Sequence, residues 1–203
     1  GDCCSIGTAH WIHAIRYNMN MVALIHDNEI YGMTKMQASP TTPTGQRTNT
    51  TPYGARLEPL NILAATLGVS NVSFVANVPD WMPEVMYKLL KLAYRHQGLS
   101  IIRIVQRCPH YLPHLFDQFV TDPDKSQILL HEDGLDISDD LAKVYKNHLV
   151  HDPTDLGRAR ELASSTDTVP VGLLYRNDDV PRYCELMKPK RAVNDEIRME
   201  VLD

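Results

Sequence analysis

Three continuous apolar runs, residues 20–26 (NMVALIH), 72–76 (VSFVA) and 100–105 (SIIRIV), each follow a stretch with helix-like patterning. A run that is apolar at nearly every position reads as a strand covered on both faces, and such strands belong to parallel sheets. The helical stretches are residues 8–18, 60–67 and about 80–97. The first carries Trp11, Ile12 and Ile15 on one side. The second stops at Gly68. The third is capped by Asp80, with Pro83 in its first turns and Gly98 past its end. Residues 1–107 therefore read as turn–helix–strand–loop–helix–strand–helix–strand. That order predicts a doubly wound α/β fold with a mostly parallel sheet.

The pattern loosens in residues 108–203, which read as an irregular C-terminal extension. Residues 111–134 read as irregular, 138–147 as helical, 155–164 as a short charged helix and 169–175 as a short strand. The tail beyond 178 is charged and is expected to fray or wrap a neighbour. Residues 39–59 hold Pro40, Pro43, Pro52, Pro59, Gly45, Gly54 and many threonines, and read as a long functional or disordered loop.

Composition removes several function classes. A chain of 203 residues with 43% hydrophobic content can bury one sizeable core. The net charge of -5 comes without a basic stripe, so nucleic acid is not expected as a partner. No apolar run reaches the roughly 18 residues that span a bilayer, so no membrane partner is expected. No signal peptide opens the chain, which starts without Met inside a strand-to-helix turn and is therefore expected to be part of a longer protein. The four cysteines, Cys3, Cys4, Cys108 and Cys184, form no Cys-x-x-Cys pair. They read as reduced thiols in a cytoplasmic protein.

Chemistry concentrates where the first turn and the first strand end. Gly1-Asp2 opens a turn, and Asn28 follows the strand. A carboxylate and an amide carbonyl at one sheet edge can share a Mg²⁺, with a diphosphate and the Ile30 carbonyl as further oxygen donors. Ser5, Gly7 and Thr8 are small, and the helix opening after Gly7 offers N–H groups to phosphate. A plain turn remains the alternative for Gly1-Asp2 alone. His10 and His13 read as helix packing, His148 and His151 as surface. Arg158, Arg160 and Glu161 read as a solvated helix face, and Trp11 and Trp81 as core or interface anchors.

The segments IHAIRYN-NM, DNxIYGMTKxQASPT and TTPxG, with the later VPDWMPEV, RIVQRCP and VPVGLLYRNDDVPRY, resemble the β subunit of 2-oxoacid:ferredoxin (acceptor) oxidoreductases. The resemblance covers nearly the whole chain. It implies the diphosphate-binding half of a thiamine diphosphate site with Mg²⁺. Asp2, Asn28 and the Ile30 carbonyl match the family's metal ligands. Gly1, Cys3, Cys4, Ser5, Ile6, Tyr31, Gly32, Met33 and Thr34 match the cofactor-binding turn and loop. Lys35 matches the catalytic lysine beside the 2-oxoacid carboxylate. Cys108 matches one ligand of a [4Fe–4S] cluster, whose other ligands lie in a region this chain lacks. Cys3 stands where the family motif has a glycine, so its sulfur is expected to crowd the turn.

The implied activity is oxidative decarboxylation of a 2-oxoacid, 2-oxoglutarate or pyruvate, to acyl-CoA. Electrons pass to ferredoxin, and the heteromer is completed by an α subunit. Two other readings are a non-oxidative thiamine diphosphate decarboxylase and a degenerate or assembly-only subunit.

Overall fold

The computed structural model describes residues 1–132 and 135–188. A short 3-10 turn, Asp2–Cys4, leads into α1 (Thr8–Tyr17), then β1 (Met21–Asp27). A small hairpin of β2 (Ile30–Tyr31) and β3 (Gln37–Ala38) follows, then α2 (Ile62–Leu67), β4 (Phe74–Pro79), α3 (Pro83–Arg95) and β5 (Leu99–Val105). The rest supplies α4 (Asp117–Thr121), β6 (Ser126–Leu130), α5 (Asp139–Val144), β7 (His148–Val150), α6 (Leu156–Ala163), β8 (Val169–Arg176) and α7 (Tyr183–Leu186). The main sheet has six strands in the order β1-β5-β4-β8-β6-β7. All neighbours are parallel except β4 and β8. The fold is α/β with a mostly parallel sheet, as expected.

Alternate residues of the strands feed two cores. Val75, Ile101 and Leu174 pack with Trp11 and Ile15 of α1, Leu67 of α2 and Leu162 of α6. Phe74, Ile102, Ile104 and Val171 pack with Val85 and Leu89 of α3 on the other face. Burying a side chain of this size contributes about 1.5–3 kcal/mol each.

Several expectations need correction. β1 is not covered on both faces. It is an edge strand paired only with β5 within the main sheet, and Met21, Val22 and Leu24 are exposed. Its apolar run marks a surface that a continuous-run argument cannot distinguish from a core. Ile12 of α1 is likewise exposed, whereas Trp11 and Ile15 are buried. Residues 111–134 are not merely irregular, since they hold α4 and the sheet strand β6. The C-terminal strand β8 is a central strand, and residues after 108 contribute three strands to the same sheet as residues 1–107. Asp80 does not cap α3: Met82 holds that position, and Asp80 pairs with Arg107 at 2.8 Å. His151 is buried and hydrogen-bonded to the Leu174 carbonyl at 2.7 Å, so it is not a surface residue. Arg160 donates to the Leu67 carbonyl at 2.9 Å and so satisfies the C-terminus of α2. Part of the charged tail, residues 189–203, lies outside the described residues.

A buried polar hub ties the C-terminal segment to the amino edge of the sheet. Asn18 ends α1 in a left-handed conformation (φ 44°). Its amide donates to the Val180 carbonyl at 2.8 Å and accepts from Ser73 Oγ at 2.7 Å and Leu99 N–H at 2.8 Å. His96 bridges Ser73 Oγ and Asp178 Oδ1, both at 2.9 Å. Ser73, His96 and Asp178 share the order of a hydrolase triad. Ser73 is 1% exposed and its hydroxyl points to Asn18, so this set fastens the fold and has no opening to a substrate.

Burial depresses the His96 pKa below its ordinary 6.5, against the opposing pull of Asp178. The unfolded chain therefore binds a proton below 6.5 that the folded chain does not. Stability is full above that value and is lost as pH falls from it towards the depressed folded value. Urea midpoints measured across this window should show that decline. They should show a flatter one in His96→Gln, which also starts from a lower plateau because the hub loses a bond.

Candidate functional site

The carboxyl ends of β1, β4 and β5 lie together, and the Gly1–Gly7 turn packs beside them. The first turn is tight: Cys4 N–H donates to the Gly1 carbonyl at 3.1 Å, and Ser5 and Gly7 N–H both donate to the Asp2 carbonyl at 3.2 and 2.8 Å. Gly1 lies against the ring of Tyr31, and a Cβ there would fall 2.2 Å from Tyr31 Cε1. A larger residue here would have to displace the Tyr31 ring.

The loop after β1 is bent by unusual backbone. Glu29 (φ 58°), Lys35 (φ 72°) and Met36 (φ 71°) are left-handed without being glycine. Such conformations cost of order 1–3 kcal/mol each and persist where surrounding contacts enforce them. Here those contacts are visible. Lys35 N–H donates to the Gly32 carbonyl and Met36 N–H to the Tyr31 carbonyl. The Asn49 N–H reaches the Met36 carbonyl at 2.9 Å. Asn28 Oδ1 accepts from Ile30 N–H at 3.3 Å, and its amide nitrogen faces Gly32.

Asp27, one residue earlier, is fully engaged. Its Oδ1 accepts from Thr41 Oγ1 at 2.7 Å, and its Oδ2 pairs with Arg103 at 2.7 Å. Arg103 also lies 3.5 Å from Glu29. Burial, then the Asp27 charge, push the Glu29 carboxyl up to about 7, against the pull of Arg103. Thr42 Oγ1 donates to the Glu29 carbonyl at 2.6 Å.

These bonds remove the disordered alternative for the loop 39–59. Ser39, Thr41, Thr42 and Thr48 are buried, and the segment is pinned to the strand end by threonine hydroxyls. Threonines in a loop serve as backbone substitutes where no ladder exists.

The structure brings Gly1, Asn28, Ile30, Tyr31 and Gly32 into one region. Met33, Thr34 and Lys35 form the exposed tip of the β2–β3 hairpin, with Met33 almost fully exposed. Asp2 is exposed, and its carboxylate makes no hydrogen bond or ion pair among the described residues. Cys3 packs on the apolar cluster around α1, and Cys4 is buried in it. Ser5 and Ile6 are exposed. The Gly7 and Thr8 N–H groups are spent within the turn, on the Asp2 and Ser5 carbonyls, and are not available to phosphate as expected. His10 and His13 are exposed on α1, and the His13 ring lies against that of Tyr17, with centroids 5.8 Å apart.

Cys108 is half-buried in a bridge to Leu112 just past β5. Among the described residues no group of three or more His, Cys, Asp or Glu could hold a metal ion, so the chain alone does not fit an iron–sulfur cluster. Two residues were missed by sequence reasoning. Tyr111, in the Cys108 turn, lies beside Gly32, its ring 3.8 Å from where a Cβ would sit. Arg103 was also missed, since a single charge inside an apolar run gives no hint of a partner on another strand.

The residues present do fit a magnesium diphosphate. Asn28 offers a side-chain carbonyl that no packed side chain consumes, Ile30 a nearby main-chain carbonyl, and Asp2 an unpaired carboxylate. These are hard oxygen donors of the kind Mg²⁺ takes.

Comparison with known proteins agrees. Residues 1–104, about half of the chain, match the model for the thiamine pyrophosphate enzyme, C-terminal TPP binding domain. Residues 139–191 match the model for the C-terminal part of the pyruvate ferredoxin oxidoreductase beta subunit. The chain is 31% identical over 188 residues to the 2-oxoacid:ferredoxin oxidoreductase subunit beta of Sulfolobus sp, covering 93% of this chain and 59% of that one. It is 40% identical over 112 residues to the 2-oxoglutarate synthase subunit KorB of Archaeoglobus fulgidus, covering 54% of this chain and 40% of that one. A solved 2-oxoglutarate:ferredoxin oxidoreductase from Magnetococcus marinus, with 2-oxoglutarate, coenzyme A and succinyl-CoA bound, superposes with a TM-score of 0.78 at 31% identity. That match covers 100% of this chain and 64% of the other. The chain thus spans less than two thirds of these relatives. With a TPP-binding model matching half of it and the two family models in sequence order, the chain belongs to the thiamine pyrophosphate enzymes.

Proposed function

We propose that this chain is the diphosphate-binding part of a 2-oxoacid:ferredoxin oxidoreductase, which converts a 2-oxoacid such as 2-oxoglutarate or pyruvate to acyl-CoA and passes electrons to ferredoxin. The observation that carries this reading is the Asn28 loop. The Asn28 amide faces Gly32, and Tyr31 lies against Gly1, in a loop whose backbone is left-handed at three non-glycine positions. When bound, thiamine diphosphate supplies a carbon nucleophile for the keto group and an electron sink for the departing CO₂. Asn28 and the Ile30 carbonyl would hold its Mg²⁺, with Asp2 as the carboxylate partner.

The chain's own contribution is position and charge. Lys35 sits on an exposed hairpin tip, where its ammonium can meet the substrate carboxylate as a point charge. The pinned 39–59 segment fixes the hairpin base and holds the Asp27 carboxylate through the Thr41 hydroxyl. An α subunit would supply the rest of the cofactor site. Cys108 would join an iron–sulfur cluster only with ligands from outside the described residues, so no electron step is drawn through it. A cytoplasmic location fits the free thiols. No helix among the described residues is long and apolar enough to cross a membrane. The names of the relatives favour the oxidative reading over a non-oxidative decarboxylase or an assembly-only subunit.

Isothermal calorimetry tests the core of this. Thiamine diphosphate should give heat with the chain only when Mg²⁺ is present. No heat in either condition, with or without the α subunit, would return the chain to the assembly-only reading. In the assembled enzyme, Lys35→Ala should raise KM for the 2-oxoacid about tenfold or more while leaving thiamine diphosphate affinity unchanged. Equal losses in both would place Lys35 on the cofactor instead.

A further inference from the structure

Two thiols stand side by side in the first turn. Cys3 and Cys4 both lie in the 3-10 turn Asp2–Cys4, and both are free. They are neighbours in sequence, so their side chains spring from adjacent Cα atoms of one turn. Cys4 is buried, whereas Cys3 is half-buried and lines an open apolar groove of about 600 Å³ between α1 and β1, beside His10 and Met21. One sulfur is thus reachable from solvent, and the other waits behind it.

We propose that Cys3 and Cys4 form a vicinal dithiol that closes reversibly to a disulfide by exchange with a low-molecular-weight disulfide. The Cys3 thiolate attacks one sulfur of the oxidant, forming a mixed disulfide and releasing one thiolate. Cys4 then attacks the Cys3 sulfur and expels the second thiolate. The two protons lost by the cysteines end on the two released thiols. Both cysteines are oxidised, and the low-molecular-weight disulfide is reduced to two thiols.

Geometry makes this closure labile rather than structural. Adjacent Cα atoms are about 3.8 Å apart across a trans peptide, below the roughly 4.4–6.8 Å usual for a disulfide. The closed ring is therefore strained and readily reduced. The strain also has somewhere to go. The turn is held by Cys4 N–H to the Gly1 carbonyl at 3.1 Å and Ser5 N–H to the Asp2 carbonyl at 3.2 Å. Twisting the Cys3–Cys4 peptide to join the sulfurs loosens both bonds and shifts Gly1 off Tyr31. Closure would then weaken binding at the Asn28 edge, a consequence that rests on the proposed cofactor reading.

The experiment treats the native chain with glutathione disulfide, quenches with an alkylating agent and digests with trypsin. The peptide ending at Arg16 contains Cys3 and Cys4 and no other cysteine. It should appear unalkylated and lighter by two hydrogens, and regain both alkyl groups after dithiothreitol. Cys4→Ser should stop at one glutathione on Cys3. Cys3→Ser should carry none on Cys4. A wild-type peptide that stays fully alkylated, or holds a lasting glutathione adduct on Cys3 beside a free Cys4, overturns the proposal. Calorimetry on the oxidised chain should show at least a tenfold weaker thiamine diphosphate complex, restored by reduction. An unchanged complex in a chain shown to be closed overturns the link to the site. A reduced chain that never binds thiamine diphosphate counts against the proposed function and leaves the mass result intact.

Discussion

Asn28→Ala should lower Mg²⁺-dependent thiamine diphosphate affinity by about a hundredfold or more, with no matching loss of stability. Loss of even outer partners of a metal site costs roughly 10–100-fold, and a direct ligand should cost no less. The effect is specific because Asn28 has little else to do. Its Oδ1 accepts only the Ile30 N–H, at 3.3 Å, among the described residues. The neighbouring Asp27 is committed to Arg103 and Thr41 and is poorly placed to substitute. Calorimetric titration across Mg²⁺ concentrations measures this directly, with a urea midpoint as the stability control. Asp2→Ala should fall with Asn28→Ala if both oxygens share one ion. An Asp2→Ala protein that keeps its affinity removes that carboxylate from the ligand set. An Asn28→Ala protein that keeps its affinity removes the site.

Arg103→Ala should destabilise the chain by about 3–5 kcal/mol, the usual result of stripping one partner from a buried ion pair. Asp27 is 3% exposed and would keep its charge with only the Thr41 hydroxyl at 2.7 Å and the Glu29 N–H at 3.4 Å to meet it. Arg103 holds it through two nitrogens, Nε at 2.8 Å and Nη2 at 2.7 Å. Lysine would restore the charge but not the fork, so Arg103→Lys should recover only part of the loss. The double variant Asp27→Asn with Arg103→Leu should be more stable than Arg103→Ala, because no buried charge is stranded. Urea unfolding of the three variants decides it. A loss under about 1 kcal/mol for Arg103→Ala would mean the pair behaves as a solvated surface contact.

The sequence displayed part of this architecture openly. β5 read correctly because a run apolar at all but Ser100 and Arg103, between Gly98 and the polar residues after Val105, leaves few alternatives. The helix α5, Asp139–Val144, lies inside the stretch 138–147 that reads as helical, and Ser138 caps it by accepting from Leu141 N–H. β1 misled, since its run is as apolar as that of β5 while its position is at the edge. Which strand lies next to which is not written in periodicity, and so the central, antiparallel placement of β8 was hidden. The loop at Asn28 was legible through its motif. Its left-handed residues were not, because Glu29, Lys35 and Met36 are types that ordinarily avoid that conformation. The Asp27–Arg103–Thr41 set was illegible for a simpler reason: its members are scattered along the chain and meet only after the sheet assembles.

The antiparallel seam formed by β8 has a consequence for how the chain is made. β1, β5 and β4 can pair among themselves once residue 105 has emerged, and β6 with β7 can do so later. Neither group touches the other within the sheet until β8 arrives and is slotted between them. A growing polypeptide must therefore hold two unfinished half-sheets, each with an open inner border, until nearly its last described segment is synthesised. Contacts of such long sequence separation form slowly. Yield in a cell should thus depend on chaperone protection of those borders more than on the strength of the finished core.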